Sequence, residues 1–380
     1  MRREFVSLAL LDGANISELC RRFGVSRVTA YKWIDRYLAN PDEDFVDRCR
    51  RPLHCPNLSS GELVDAVLSI RAEFPAWGGR KIRAVLAQRQ WTDVPSASTI
   101  TQILRRANKL GGIAGSAQVA DRRFERDSPN ELWQMDFKGP VSTLECRCHV
   151  MTLIDDHSRF SPGLLVCRDQ RSETVKAHLE SCFRTYGMPY SILSDRGTPW
   201  YGHNGPTRIE LWLLRLGIKV LHGRPYHPQT QGKVERLNRT LKAEVLEGHS
   251  FRSLEEFQQR LANWRITYNT IRGHDSLESR TPITVYQNSP LSFPETLAPV
   301  EYGPVDLVRK VQKDGWTHFK GKKIRLSDGL VGMPVGFRAA ESEGIWEVRF
   351  CSALVAQVNL RHERPIVQSL WGVNHVSERL

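Results

Sequence analysis

From Glu131 onward the chain changes its hydrophobic period, and that change limits the possible folds more than any other feature. The segments "LWQMDFKGPV", "RCHVMTLIDDHS" and "RFSPGLLVC" are short β-prone runs separated by turn residues. A helical stretch follows, "SETVKAHLESCFRTYG", then the apolar run "YSILSD". A second helical stretch surrounds "RIELWLLRLG", and the run "IKVLHG" comes after it. Three consecutive strands followed by alternating helix and strand predict an α/β core with a mixed sheet flanked by helices, over residues 128–290. In such sheets the working residues gather at strand ends and at the start of a neighbouring helix.

Three acids fit that geometry. Asp136 lies in the first strand, Asp195 closes "ILSD", and Glu235 sits in the first turns of the helix that "GKVERLNRTLKAEVL" predicts. A carboxylate in a strand of Leu, Trp, Met and Phe is costly unless it is paired or metal-bound. Two aspartates on adjacent central strands, with a glutamate from a helix packed across them, would form one oxygen-rich cluster. Its natural occupants are hard divalent cations, Mg²⁺ or Mn²⁺. Two such ions per site can activate an attacking oxygen and stabilise a leaving one at a phosphate. Asp155 and Asp156 in "IDDHS" read instead as strand-end and turn residues that shape a loop.

The helix carrying Glu235 adds a second signal. Val234, Leu237, Leu241 and Val245 recur at the spacing of a buried face. Beside them runs a basic row, Lys233, Arg236, Arg239 and Lys242. At about 100° per residue, Glu235, Arg239 and Lys242 share one narrow arc. Either the glutamate holds metal while the cations grip DNA phosphates, or Glu235 and Arg239 form an ordinary i, i+4 pair on a solvated face.

The amino-terminal residues 1–40 read as three short helices. Gly24 breaks the second and Ser26 caps the third through its side-chain oxygen. Ala30, Trp33 and Ile34 would pack inward, leaving Arg27, Thr29, Tyr31 and Lys32 outward, the layout of a DNA-binding helix-turn-helix. Residues 40–56 resemble a linker. A second helical unit, 57–112, contains a helix that Ser96 or Ser98 could cap. It reads as another helix-turn-helix or as a plain spacer. Residues 111–130 are small, polar and charged, and mark a boundary. From 299 to 365 short runs alternate like antiparallel strands, a small all-β domain. There Lys320, Lys322, Lys323 and Arg325 cluster beside Trp316 and Phe319, and Lys322 and Lys323 are candidate DNA contacts.

The net charge of +12 is spread over every third of the 380 residues, which suits a long polyanionic partner, double-stranded DNA. The eight cysteines lack paired CxxC spacing, and Cys146, Cys148 and His149 do not share a strand face, so free thiols in a reducing cytosol are expected. No run has the length of a membrane span, and the start lacks the marks of a cleaved signal, so a cytoplasmic location is expected. No nucleotide cofactor is implied.

The blocks "WQMDFKG", "LIDDHSRF", "LSDRGTP", "RPYHPQTQGKVERLNRTLK" and "YNTIRGHDSLESRTPITVY" closely resemble the integrase-core transposases of bacterial insertion sequences. These are DDE enzymes related to retroviral integrase, with a ribonuclease-H-like fold. The resemblance runs from about Trp133 to Tyr286. It implies a catalytic and metal-binding triad at Asp136, Asp195 and Glu235, with Arg239 and Lys242 where family members contact the transposon end. It implies Mg²⁺-dependent cleavage at the element's end, strand transfer into target DNA, and a homo-oligomer in the active complex. It also implies a small DNA-contacting β-barrel at the carboxy end. His222 and His227 are then structural or phosphate-contacting, because metal-bound water supplies the nucleophile. Two departures from the family pattern stand out. Between Asp195 and Glu235 lie 39 residues, about four more than usual, and the excess falls in "PWYGHNGPT", a loop that can lengthen without moving either ligand. Arg196 replaces a common Asn, and Gly273 replaces a common Pro.

Overall fold

The computed structural model describes residues 1–42, 45–47, 58–110, 125–197, 199–200, 202, 205–223 and 231–371. The chain divides into two compact units, Met1–Ser60 and Gly61–Leu380.

The first unit holds α1 (Arg2–Ala9), α2 (Ile16–Phe23) and α3 (Arg27–Ala39). Asn15 caps α2 by accepting from the Ser17 and Glu18 amides, and Gly24 takes the left-handed conformation that ends it. Ser26 accepts from the Thr29 amide at 3.2 Å and starts α3. Phe5, Cys20, Ala30, Trp33 and Ile34 are buried together, and Phe5 meets Trp33 edge-on at 5.6 Å. Phe5 also meets Phe23 edge-on at 5.4 Å, so one aromatic ring ties α1 to both α2 and α3.

The second unit opens with α4 (Gly61–Glu73), α5 (Gly79–Gln88) and α6 (Ala97–Arg106), packed around Val67, Ile70, Trp77, Ile82, Leu86, Ile100 and Leu104. Of the two candidate caps, Ser96 starts α6, accepting from Thr99 N at 3.2 Å. The α/β core then follows the predicted order. It contains β1 (Trp133–Ser142), β2 (Arg147–Asp155), β3 (Leu164–Cys167), α7 (Ser172–Tyr186), β4 (Ser191–Ser194), α8 (Arg208–Arg215) and β5 (Lys219–His222). Next come α9 (Gly232–Leu241), a π-type turn at Lys242–Leu246, and α10 (Leu254–Thr270). The sheet order is β3-β2-β1-β4-β5. The first three strands pair antiparallel, whereas β4 runs parallel to both β1 and β5. The sheet is therefore mixed.

Helices cover both of its faces. Trp133, Met135, Met151, Leu153 and Ile192 pack with α7 and α8, while Val150 and Ile154 pack with α9 and α10. Val234, Leu237, Leu241 and Val245 are all buried on that second side, as their spacing predicts. The strand period decides what Asp136 meets. Gln134 and Asp136 alternate with Trp133 and Met135, so they face α9 instead of the α7 layer.

The carboxy-terminal part is all-β. β6 (Leu307–Lys310), β9 (Pro334–Ala339), β10 (Ile345–Phe350), β11 (Ala353–Asn359) and β12 (Ile366–Ser369) form one antiparallel sheet, and β7 (Trp316–Phe319) pairs with β8 (Lys322–Arg325). β12 reaches Ser369, beyond the expected limit at 365. Leu211 of α8 lies inside this β core, so the α/β and all-β parts share buried surface. Among the described residues no helix is long and apolar enough to cross a membrane.

Candidate active site and nucleic-acid interface

Asp136 lies on the central strand of the sheet and is half-buried. The parallel register pairs Gln134 with Leu193. Carried two residues on, it brings Asp195 abreast of Asp136 at the exit of β4. Asp195 turns the chain there, its Oδ1 accepting from the Gly197 amide at 3.0 Å. Across the sheet face, Asn238 of α9 donates Nδ2 to Asp136 Oδ2 at 2.7 Å. Glu235 stands one turn earlier on that helix and is exposed.

The electrostatics tie these positions together. Burial pushes the Asp136 carboxyl up from 3.8 to about 6, and the charges of Asp195 and Glu235 push the same way. The Phe137 amide and Asn238 oppose them without cancelling. Yet among the described residues no three His, Cys, Asp or Glu side chains close into a metal-ligand group. The tertiary structure thus brings the three acids into one field but not into one cage, because Glu235 points to solvent and Asp195 is held in its own turn. The donor set still fits a hard cation. It consists of carboxylate oxygens that repel one another, and beside Asp136 the buried Asn238 Oδ1 has no hydrogen-bond partner.

Behind the site lies a buried network that the sequence did not reveal. Gln134 Nε2 donates to Asp156 Oδ1 at 2.8 Å, while Gln134 Oε1 accepts from the Val234 amide at 3.2 Å. Lys233 Nζ lies 2.5 Å from Asp156 Oδ2. The start of α9 is therefore bolted to β1 and to the end of β2. Lys233 therefore leaves the basic row that its spacing predicts and turns inward. Asp156 is wholly buried and needs a counter-charge, so Lys233 turns inward, and burial lowers its pKa to about 8. The neighbouring Asp155 accepts from the Asn130 amide and from Ser158, and shapes the loop that follows β2.

The remaining cations of the row behave otherwise. Arg236 and Arg239 are exposed and form no ion pair among the described residues, so the i, i+4 alternative for Glu235 and Arg239 is not what the helix adopts. Lys242 is exposed, 3.7 Å from Glu247. In the first unit, Arg27, Tyr31 and Lys32 are exposed on α3 and Thr29 is half-buried. Arg27 donates to the Ser17 hydroxyl and so braces the turn between α2 and α3. In the all-β part Lys322 is a second correction. Its ammonium donates to the Leu360 and His362 carbonyls, at 2.8 and 2.5 Å, and stitches β8 to the end of β11. Lys323 is exposed over the Trp316 ring at 4.5 Å.

His222 is buried, bonded through Nε2 to Glu210 Oε1 at 2.7 Å, and Trp371 Nε1 donates to the same oxygen. It braces β5 against α8. His227 lies outside the described residues. Two signals could have exposed the missed partners. Gln134 precedes Asp136 by one strand period, and Asn238 follows Glu235 by about one helical turn.

A mixed five-stranded sheet with one acid on its central strand and another at the exit of the neighbouring parallel strand, between helical units and an all-β end, defines a ribonuclease-H-like integrase core. Family models agree. An integrase core domain is matched at residues 126–228 and again at 216–282, a helix-turn-helix domain at 1–52, and a homeodomain-like domain at 29–104. The carboxy-terminal domain of IS481 family transposases is matched at 306–365. Through these segments the chain is similar to integrase cores and to insertion-sequence transposases. It is 26% identical over 209 residues to an uncharacterized 39.2 kDa protein of insertion element IS476 from Xanthomonas euvesicatoria, a match covering 54% of this chain and 55% of that one. It is 23% identical over 287 residues to an uncharacterized 31.7 kDa protein of IS407 from Burkholderia multivorans, covering 72% and 92%. The HTLV-2 integrase catalytic core domain, solved in complex with magnesium, aligns at 14% identity and a TM-score of 0.32, over 42% of this chain and 97% of that one.

Proposed function

We propose that this protein is a DDE transposase. It binds the ends of an insertion sequence, cleaves there, and joins the freed 3′ end to target DNA, using two divalent metal ions held by Asp136, Asp195 and Glu235. The observation that carries this reading is the half-buried carboxyl of Asp136 on the central strand, raised to about 6 by burial and by two further acids. A strand acid in that field is a standing cost unless a cation joins it.

When bound, Mg²⁺ or Mn²⁺ supplies Lewis-acid activation of the attacking oxygen and stabilisation of the leaving one. Asp136, steadied by Asn238, and Asp195 offer oxygens from the sheet, and Glu235 offers them from the helix bolted to it. Arg236 and Arg239 on the same helix hold the DNA backbone beside them. In cleavage a water oxygen bonds to phosphorus as the bond to a 3′ oxygen breaks, leaving a 3′-hydroxyl. In joining, that hydroxyl attacks a target phosphate and displaces another 3′ oxygen, so one phosphodiester replaces another and no nucleotide is consumed. Joining two ends at one target calls for a homo-oligomer, acting in the cytoplasm where the DNA lies. The helix-turn-helix residues Arg27, Thr29, Tyr31 and Lys32 contribute to DNA binding, and so does Lys323.

The test is strand transfer from a pre-cleaved end taken from the DNA flanking the coding region, with Mg²⁺. Wild type should give joined products. Asp136→Asn should give none while still binding the end. Cutting without joining would leave a nuclease, and identical behaviour of the two proteins would leave a DNA-binding regulator.

A further inference from the structure

Glu210, in the first turn of α8, is a buried acid whose only ion-pair partner among the described residues is His222. Apolar side chains would fill such a place at lower cost, so what the buried charge adds is a fixed geometry. Its donors come from three separate places. The Thr207 amide at the helix start donates to Oε2 at 2.5 Å, while His222 Nε2 of β5 and Trp371 Nε1 both donate to Oε1, at 2.7 and 2.8 Å. Trp371 follows the all-β sheet, where the Leu370 amide donates to the Val355 carbonyl at 3.2 Å. His222 and Trp371 also line a cleft of about 340 Å³ between β5 and the start of β11, so the two parts meet here at a seam. With its Nε2 proton committed to the carboxylate, His222 turns Nδ1 to the Ser194 hydroxyl at 3.4 Å. These two residues are register partners across β4 and β5, and the Ser194 carbonyl accepts from the Gly223 amide at 3.1 Å. Ser194 is the last residue of β4, and Asp195 follows it.

A line of hydrogen bonds thus runs from the carboxy-terminal segment to the strand end that bears one of the three acids. Buried groups tied in this way keep one geometry, because leaving any partner unpaired is costly. We propose that Glu210 is a positioning residue for the metal site. Through His222 and Ser194 it fixes where β4 ends and hence where Asp195 presents its oxygens, and Trp371 makes that setting depend on the docked all-β end. The inference rests on the reading of Asp195 as a metal ligand. It adds that the all-β end serves the chemistry of the core, through side chains that themselves touch neither metal nor substrate.

The test is isothermal titration of Mn²⁺ into the full chain, alongside thermal melting in a chelator and strand transfer from a pre-cleaved end. Trp371→Phe keeps a ring and removes its donor. It should weaken Mn²⁺ binding several-fold, leave the melting temperature in chelator within about 2 °C of wild type, and lower strand transfer in a way that excess Mn²⁺ restores. Glu210→Gln should weaken Mn²⁺ binding further, by about ten-fold. Wild-type Mn²⁺ affinity in both variants, with Asp195→Asn impaired, would overturn this inference alone. A lower melting temperature with wild-type Mn²⁺ affinity would make the network a structural prop and overturn the positioning role. Weakened strand transfer that excess Mn²⁺ does not restore, at unchanged Mn²⁺ affinity, would overturn it too. Absence of Mn²⁺ binding by wild type, or wild-type binding by Asp195→Asn, would remove the metal reading of that acid and this inference with it.

Discussion

Asp136 shows how one side chain couples stability to function. Its carboxyl is raised from 3.8 to about 6, so the folded state holds this proton more tightly than the unfolded chain does. The sign follows directly. Stability from this group is full below about pH 4 and is lost as pH rises through about 6. Each pH unit in that window is worth about 1.4 kcal/mol for a fully buried group. Asp136 is only half-buried, so about 1–2 kcal/mol in total remains after solvent screening. Without divalent cations, Asp136→Asn should therefore be more stable than wild type by about that much at pH 7, with the gap closing towards pH 4. Denaturant unfolding at several pH values measures it. A gap independent of pH would mean that the carboxyl is not held in the field described.

At the scale of the element, α9 has two basic faces with opposite duties. Lys233 is 13% exposed and neutralises Asp156, which is wholly buried. Lys233→Met leaves that carboxylate unpaired and should cost about 3–5 kcal/mol of stability. Arg239 is exposed and unpaired among the described residues. Arg239→Gln should change stability by less than about 0.5 kcal/mol while lowering the salt slope of DNA binding by about one. Urea unfolding and duplex titration of both variants decide the matter. Equal stability losses would dissolve the distinction. Hydrophobic spacing made the buried stripe of α9 legible, since Val234, Leu237, Leu241 and Val245 are all inside. The inward turn of Lys233 was not legible, because its partner lies 77 residues earlier, by subtraction of 156 from 233.

For the whole molecule, ligand linkage gives the cleanest readout of the proposed metal site. A cation that binds only the folded state stabilises it by about 2.7 kcal/mol at a hundred times its Kd. The melting temperature of the full chain should rise with Mn²⁺ and fall back when a chelator is added, and Asp136→Asn should lose most of the rise. An undiminished rise in the variant would place the ion elsewhere. The all-β end contributes to the same assembly. Leu211 of α8 sits in its core, and the Ser327 hydroxyl donates to the Pro206 carbonyl, so the segment entering α8 is braced from both parts.

Alternating and helical periods in this sequence determined the order of strands and helices, because each records which side of its own element leaves water. Side-chain chemistry determined the caps at Asn15, Ser26 and Ser96 for an equally local reason, a hydrogen bond spanning only two or three residues. Which element covers which face is set by contacts between residues far apart in the chain, and no local period encodes those. Only the tertiary structure therefore decided that Asn238 would reach Asp136, and that Lys233 and Lys322 would turn to internal partners.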